Sequence, residues 1–317
     1  MKISIIIPTY NRPEYLLECL ESCINQTCPP FEIIVGDDSS NSESEKIVAS
    51  LDYSKGKLIY TRNVPALGQG KNVGELMRRA SGDLICLIHD DDKLSLDNLE
   101  KLSPIFRTDQ EVIISFGKQF IISDDGKLDQ EASDKLNVLY SRTHDKAGIQ
   151  SDILKSAILQ QIPNNGFLVR AECAKKVDHE SLEKKYFDGP DFGFALELAQ
   201  AYRKSKALFL DQYTAFYRNS TISIVRGGPP AKLYISFHYQ SQLAHSVYKL
   251  DSDISKFLKK RSSVAIFNAI HWGDLVKANE WILSKYYRKK IFSIGGVRMV
   301  LFYAYKKICL IFSTFIK

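Results

Sequence analysis

Four apolar runs, each stopping at a polar cluster, constrain this chain more than any other feature. Ile3–Ile7 runs into Pro8-Thr9-Tyr10-Asn11-Arg12, and Phe31–Gly36 into Asp37-Asp38-Ser39-Ser40. Lys57–Arg62 precedes Leu67-Gly68-Gln69-Gly70-Lys71-Asn72, and Asp83–His89 ends in Asp90-Asp91-Asp92. A β-branched run such as Ile3–Ile7 is what a strand covered on both faces requires. Helical spacing fills the gaps: Leu16, Cys19, Leu20, Cys23 and Ile24 share one face of a helix over Pro13–Asn25, with Asn11 as its cap and Pro13 in its first turn. Further helices are predicted over Ser44–Leu51, Gly70–Ala80 and Ser95–Phe106. This β-α-β-α order implies an α/β fold, a mostly parallel sheet flanked by helices. Ligands of such sheets bind beyond the carboxyl ends of the strands, so the polar clusters should converge on one edge.

The rest of the chain is less regular. Val112–Phe116, Gln119–Ile122, Phe167–Arg170, Ala207–Leu210 and Tyr213–Tyr217 read as strands, residues 131–150 as a mobile loop, and Asp191–Lys204 as a helix. Gly227-Gly228-Pro229-Pro230 is a breaker, placing a boundary between a body of residues 1–226 and a helical region of residues 227–317. Four helices are expected there: Lys232–Leu250, Ile254–Ile270, Asp274–Tyr286 and Ile291–Phe315. Charge is uneven. Residues 256–317 hold thirteen Lys/Arg against Asp274 and Glu280, a net +11 in a chain of net +6, so the remainder carries −5. A basic end on an acidic body suggests an anionic surface as partner, membrane or nucleic acid, with membrane the expected one. No nucleic-acid partner is expected, because the basic residues carry no nucleic-acid-binding pattern.

With 44% apolar and 25% charged residues over 317 positions, the chain can bury a core, and wholesale disorder is excluded. Six cysteines without a CxxC pair exclude a disulfide scaffold and a zinc ribbon. Ile3–Ile7 is too short for a secretory core, so a cytoplasmic chain with reduced thiols is expected, peripheral on the membrane face. Cys19 and Cys23 read as core. His144, His179, His238, His245 and His271 show no ligand spacing, and Trp272 and Trp281 read as packing or membrane-interface residues.

The triple aspartate either solvates a loop or holds a metal diphosphate, since Mg²⁺ and Mn²⁺ prefer oxygen ligands and Mg²⁺ takes only one or two carboxylates beside substrate phosphates. The glycine stretch lacks Walker A and dinucleotide-fold spacing. It is an ordinary turn into a helix, or a helix N-terminus that with Lys71 attracts phosphate.

PTYNR, a strand with DDSS, GQGKNVG and SGDLICLIHDDD, in this order, resemble the nucleotide-sugar half of the family-2 inverting glycosyltransferases of the GT-A fold. The resemblance implies a nucleotide-sugar half over residues 1–110 and an acceptor half over 111–226. It implies that Pro8, Thr9, Tyr10 and Asn11 line the base and ribose pocket and that Asp38 accepts a hydrogen bond from a uracil-type base. Lys71 would stand where the family often has arginine, Asp90 at the ribose, and Asp91 at a divalent cation, Mg²⁺ or Mn²⁺, and the diphosphate. Asn165 and Gly166, within Asn164–Arg170, would lie at the acceptor pocket, and Asp191, at a helix start, would be the general base, with Asp188 a weaker candidate. Two positions depart from the family: His89 replaces the first acid of its aspartate–any–aspartate signature, and Tyr217-Arg218 is followed by Asn219-Ser220 rather than a nearby histidine. The implied partners are a nucleoside-diphosphate sugar, of UDP type, and a saccharide or lipid-linked acceptor. A sugar-phosphate nucleotidyltransferase would want its glycine-rich signature after the first strand, where this chain has Pro8-Thr9-Tyr10. A catalytically inactive nucleotide-sugar or glycan-binding protein is the reading from a different class.

Overall fold

The computed structural model describes residues 1–186, 190–219, 232 and 234–315. In chain order the strands are β1 (Ile3–Thr9), β2 (Glu32–Asp37), β3 (Lys57–Arg62), β4 (Leu84–Leu87), β5 (Lys93–Leu94), β6 (Val112–Ile122), β7 (Leu128–Asp129), β8 (Gly148–Gln150), β9 (Phe167–Arg170) and β10 (Lys206–Arg218). The helices of the first part are α1 (Pro13–Ile24), α2 (Glu43–Ser50), α3 (Gln69–Arg79), α4 (Asn98–Leu102), α5 (Ile105–Thr108), α6 (Gln130–Leu139), α7 (Ile153–Ile158), α8 (Ala171–Ala174), α9 (His179–Tyr186) and α10 (Pro190–Ala201). The last part holds α11 (Tyr234–Ser246), α12 (Ser252–His271), α13 (Leu275–Leu283) and α14 (Ile294–Phe315). The chain divides into two compact units, Met1–Lys185 with Pro190–Ser223, and Tyr186–Gly189 with Ile224–Lys317.

The first unit is built on one sheet of order β3-β2-β1-β4-β9-β6-β10-β5. β3, β2, β1 and β4 run parallel, β9 lies antiparallel between β4 and β6, and β10 runs parallel to β6. The expected mostly parallel sheet is therefore present. Every residue of β1, β2 and β4 is buried. Leu16, Cys19, Leu20 and Cys23 of α1 pack on Ile3, Ile5, Ile7, Ile33 and Val35, which is why the helix face and the strands are apolar together. Edge strand β3 is only half-buried and carries Lys57 and Arg62.

Four expectations are corrected. Residues 131–150 are not a loop: Gln130–Leu139 is helix α6. Its inward residues are Ser133 and Asn137, so no apolar period marks it. Ser133 Oγ accepts from Ile121 N at 2.7 Å, and Asn137 Nδ2 donates to Gln119 O at 2.8 Å, so the helix is tied to β6 by polar bonds. The two strand pairs over 112–122 and 207–217 are single strands; β10 absorbs its irregularity as register shifts against β6. Ser95–Phe106 is split into α4 and α5. Asn11 does not cap α1: it sits at φ +53°, and its Oδ1 accepts from Ser40 N at 3.0 Å instead.

In the second unit Trp281 is buried against Phe237, ring centroids 4.9 Å apart, and tilted against Tyr234. Asp251 caps α12 through Asp253 N and Ile254 N, and Asp274 caps α13 through Lys277 N. Trp281 is thus a packing residue. The breaker at 227–230 lies outside the described residues. The six cysteines are unpaired.

Candidate active site

Because β1 and β4 are parallel neighbours, with Ile6 opposite Leu87, the segments after their carboxyl ends must meet. Thr9 Oγ1 donates to Asp90 Oδ2 at 2.8 Å, and Tyr10 N donates to the same oxygen at 3.2 Å. Arg12 Nη1 lies 3.4 Å from Asp90 Oδ1 and 2.7 Å from Asp91 Oδ2. The cluster after β1 is thereby bound to the acids after β4. Burial and the neighbouring Asp91 push the Asp90 carboxyl up to about 6, against the pull of Arg12 and Thr9. Pro8 is buried inside β1 opposite Gly36, whereas Tyr10 is 57% exposed at the strand end.

The next residue inward is different. Asp92 is buried: Arg218 N donates to its Oδ1 at 2.8 Å and Asn165 Nδ2 to its Oδ2. Asn165 Oδ1 in turn accepts from Gln119 Nε2 at 2.7 Å. Burial pushes the Asp92 carboxyl up, reinforced by Asp91. Asn165 and Gly166 are thus placed beneath the acids rather than at an open surface. Gly166 has φ +69°, its N donates to Leu87 O at 2.8 Å, and a Cβ there would lie 2.5 Å from that of Ala215.

Arg218, the last residue of β10, braces the loop from the other side. Its Nε donates to Asp91 O at 2.8 Å, Nη1 to Asp124 O at 2.7 Å, and Nη2 to Glu18 Oε2 at 2.7 Å. Its guanidinium lies 4.7 Å over the Tyr15 ring.

Asp191 enters from the first turn of α10. Its Oδ1 lies 3.5 Å from His89 Nε2, an ion-pair distance too long for a good hydrogen bond. Burial disfavours the His89 cation, but the carboxylates of Asp191, Asp92 and Asp91 prevail and push its pKa up to about 10. His89 is therefore an internal cation among these three acids, which offsets their repulsion. Asp191 also lines a small cavity with Gln69, Gly70, Val73, His179 and Phe194. His179 stacks on Phe194 at 5.3 Å, and burial takes its pKa down to about 4.

The remaining expected residues lie around this edge. Asp38 is buried and committed to the loop before α3, accepting from Asn63 Nδ2 at 2.8 Å, Leu67 N at 3.0 Å and Gly68 N at 2.9 Å. Gly68, at φ +84°, allows that turn. Lys71 is in the first turn of α3, half-exposed and 3.4 Å from Glu180. Asp188 lies outside the described residues. The sequence reading missed Arg12 and Arg218 as braces and His89 as a counter-charge. The parallel β1–β4 pairing could have revealed Arg12; Arg218, 127 positions from Asp91, leaves no local signal.

Among the described residues no group of three His, Cys, Asp or Glu could hold a metal ion unaided. Asp91 fits a different arrangement: it is partly open at 17% side-chain exposure, and among the described residues its carboxylate is bound through Oδ2, by Arg12. One available carboxylate suits a cation shared with substrate phosphates, not a closed protein centre.

An uncharacterized protein of Mycobacterium tuberculosis is 34% identical over 142 residues, 45% of this chain and 41% of its own length. An uncharacterized glycosyltransferase of Methanocaldococcus jannaschii is 30% identical over 131 residues, 41% of this chain and 45% of its own length. These matches thus span less than half of those relatives. The GalNAc(5)-diNAcBac-PP-undecaprenol beta-1,3-glucosyltransferase of Campylobacter jejuni is 23% identical over 87% of this chain and 84% of its own length. In fold, the chain resembles S. aureus TarS 1-349 in complex with UDP-GlcNAc, with a TM-score of 0.62 and 18% identity over 89% of this chain and 81% of that one. The architecture is GT-A-like. Residues 4–160, about half of the chain, match the model of glycosyl transferase family 2.

Proposed function

We propose that this protein is an inverting glycosyltransferase that moves a sugar from a nucleoside-diphosphate donor, of UDP type, to a hydroxyl of a saccharide or lipid-linked acceptor. The observation that carries the reading is His89, which lies 3.5 Å from Asp191 and is held cationic by the carboxylates of Asp191, Asp92 and Asp91. Thr9, Tyr10 and Asn11 after β1, with Asp38 and Asp90, form the donor side. Pro8 shapes it from inside the strand. Lys71, at the start of α3, faces the diphosphate as a cation at a helix N-terminus.

Asp191 takes the proton of the acceptor hydroxyl while that oxygen bonds to the anomeric carbon. The bond from that carbon to the diphosphate oxygen breaks, and the nucleoside diphosphate leaves with the electron pair. One displacement inverts the centre and needs no enzyme nucleophile. Asp91 would hold Mg²⁺ or Mn²⁺ together with the donor, and that cation would offset charge on the departing diphosphate. Asn165 and Gly166 act on the acceptor side by fixing Asp92 and the β9 entry under the acids.

The Campylobacter relative is named for a polyprenol-linked substrate and the TarS structure holds UDP-GlcNAc, which supports a UDP-sugar and a lipid-linked glycan as the first compounds to test. A second reading, a donor-binding protein without turnover, draws on the Arg12–Asp91 ion pair, which already neutralises the acid a cation would use. Purified protein is offered a panel of nucleotide sugars with Mn²⁺ and a polyprenol-diphosphate glycan, and nucleoside diphosphate release and product mass are read. Turnover by the native chain and its loss in Asp91→Ala support transfer. Donor binding without turnover on any acceptor supports the second reading.

A further inference from the structure

The last helix of the second unit exposes an apolar outer face among the described residues. α14 runs over Ile294–Phe315. Its inner side packs on α12, with Phe302 stacked on Phe267 at 5.4 Å and Gly296 buried. The opposite side exposes Ile294, Val297, Leu301, Tyr305 and Ile308. Their spacings of 3, 4, 4 and 3 residues place all five on one helical face. Four of the five are half or more exposed, with Ile294 at 78%, and Phe292 just before the helix is 90% exposed. Single exposed apolar residues are ordinary on a protein surface, but a continuous stripe marks an interaction site.

The charge around this stripe selects the partner. No acid follows Glu280, while Lys285, Arg288, Lys289, Lys290, Arg298, Lys306, Lys307 and Lys317 do. Arg298 and Lys307 are exposed on the helix itself. Two copies of this face would set these cations against each other, which disfavours a dimer. A nucleic acid would satisfy the cations and leave the apolar stripe in water. A bilayer with anionic headgroups satisfies both. Spanning is a separate matter: at about 1.5 Å per residue the helix is about 33 Å long, but among the described residues no helix is long and apolar enough to cross a membrane.

We infer that α14 lies in the plane of an anionic bilayer surface, with Ile294, Val297, Leu301, Tyr305 and Ile308 in the acyl boundary and Arg298 and Lys307 at the headgroups. Both components are needed. The apolar residues supply burial, the cations supply attraction that salt screens, and long basic side chains keep their charge in water while their stems cover apolar surface. This inference is independent of the catalytic reading.

Full-length protein is floated with phosphatidylcholine vesicles, with and without phosphatidylglycerol, at low and high salt. Two variants are compared: Arg298→Glu with Lys307→Glu, and Leu301→Asn with Ile308→Asn. All four positions are exposed, so both variants keep the fold, which circular dichroism verifies. The native chain floats with anionic vesicles at low salt and is released at high salt. Each variant binds at least about tenfold more weakly, since two reversed charges or two lost apolar contacts remove a large part of the attraction. Failure of the native chain to float, or equal flotation of either variant, overturns the inference. So does a native dimer that the Asn variant dissociates while vesicles stay unbound, which would assign the stripe to a second copy.

Discussion

Replacing Arg218 by Met tests how the acid loop is held together. The guanidinium is fully buried, while its carboxylate partner Glu18 is 42% exposed and keeps Lys93 at 3.3 Å. Losing that ion pair therefore costs little, because solvent and Lys93 replace it. The main loss is elsewhere. The carbonyls of Asp91, Ser123 and Asp124 lose a charged donor, from Nε and Nη1. Met restores apolar contact to Tyr15 but donates nothing. At about 1 kcal/mol for each carbonyl left to find water, the cost is about 3 kcal/mol. For a unit of this size that lowers the melting temperature by about 6–12 °C. Both tryptophans, Trp272 and Trp281, lie in the second unit, so the melt is followed by far-ultraviolet circular dichroism rather than Trp fluorescence. Glu18→Gln is the control and changes stability by less than about 1 kcal/mol. A shift below about 3 °C for Arg218→Met, or a larger shift for Glu18→Gln, would refute the assignment of Arg218 as the brace.

Two further outcomes follow from single positions. Gly166→Ala combines φ +69° with a Cβ set 2.5 Å from that of Ala215, so urea unfolding should show a loss of about 2 kcal/mol or more. His179, with its folded pKa down at about 4 against about 6.5 when unfolded, contributes stability that is present above pH 6.5 and lost as pH falls from there towards 4. The loss is at most about 3 kcal/mol, and His179→Phe, which keeps the stack on Phe194, should flatten it; an unchanged acid limb in the variant would contradict this.

The parallel part of the sheet was legible because β1, β2 and β4 are buried on both faces and so must be apolar throughout. The convergence of Thr9, Tyr10, Asp90 and Asp91 followed from strand order alone. Helix α6 was hidden for the opposite reason. Its buried positions are Ser133 and Asn137, chosen to satisfy backbone groups of β6 rather than to be apolar. The site was legible to a similar depth. Acids at strand ends announce themselves, but what holds them in place comes from far along the chain. Asn165 lies 73 positions from Asp92, and Arg218 lies 127 from Asp91. Nor does composition distinguish an exposed Asp38 from one spent on Asn63, Leu67 and Gly68. His89 shows the same limit: as a residue type it breaks an acidic pattern, while in the fold its charge offsets the three carboxylates of Asp91, Asp92 and Asp191.

The central claim is that Asp191 removes the acceptor proton, and Asp191→Asn tests it most directly when donor binding and transfer are measured on the same preparation. Asparagine keeps the size and a hydrogen-bonding oxygen but cannot act as the base. Titration calorimetry with the nucleoside diphosphate and Mn²⁺ should give native affinity, while transfer, read as glycosylated product by mass spectrometry, should fall by about a hundredfold or more. Retention of about a tenth of native transfer or more, with donor binding intact, would contradict the account and leave Asp191 as an acid that only faces the start of its helix.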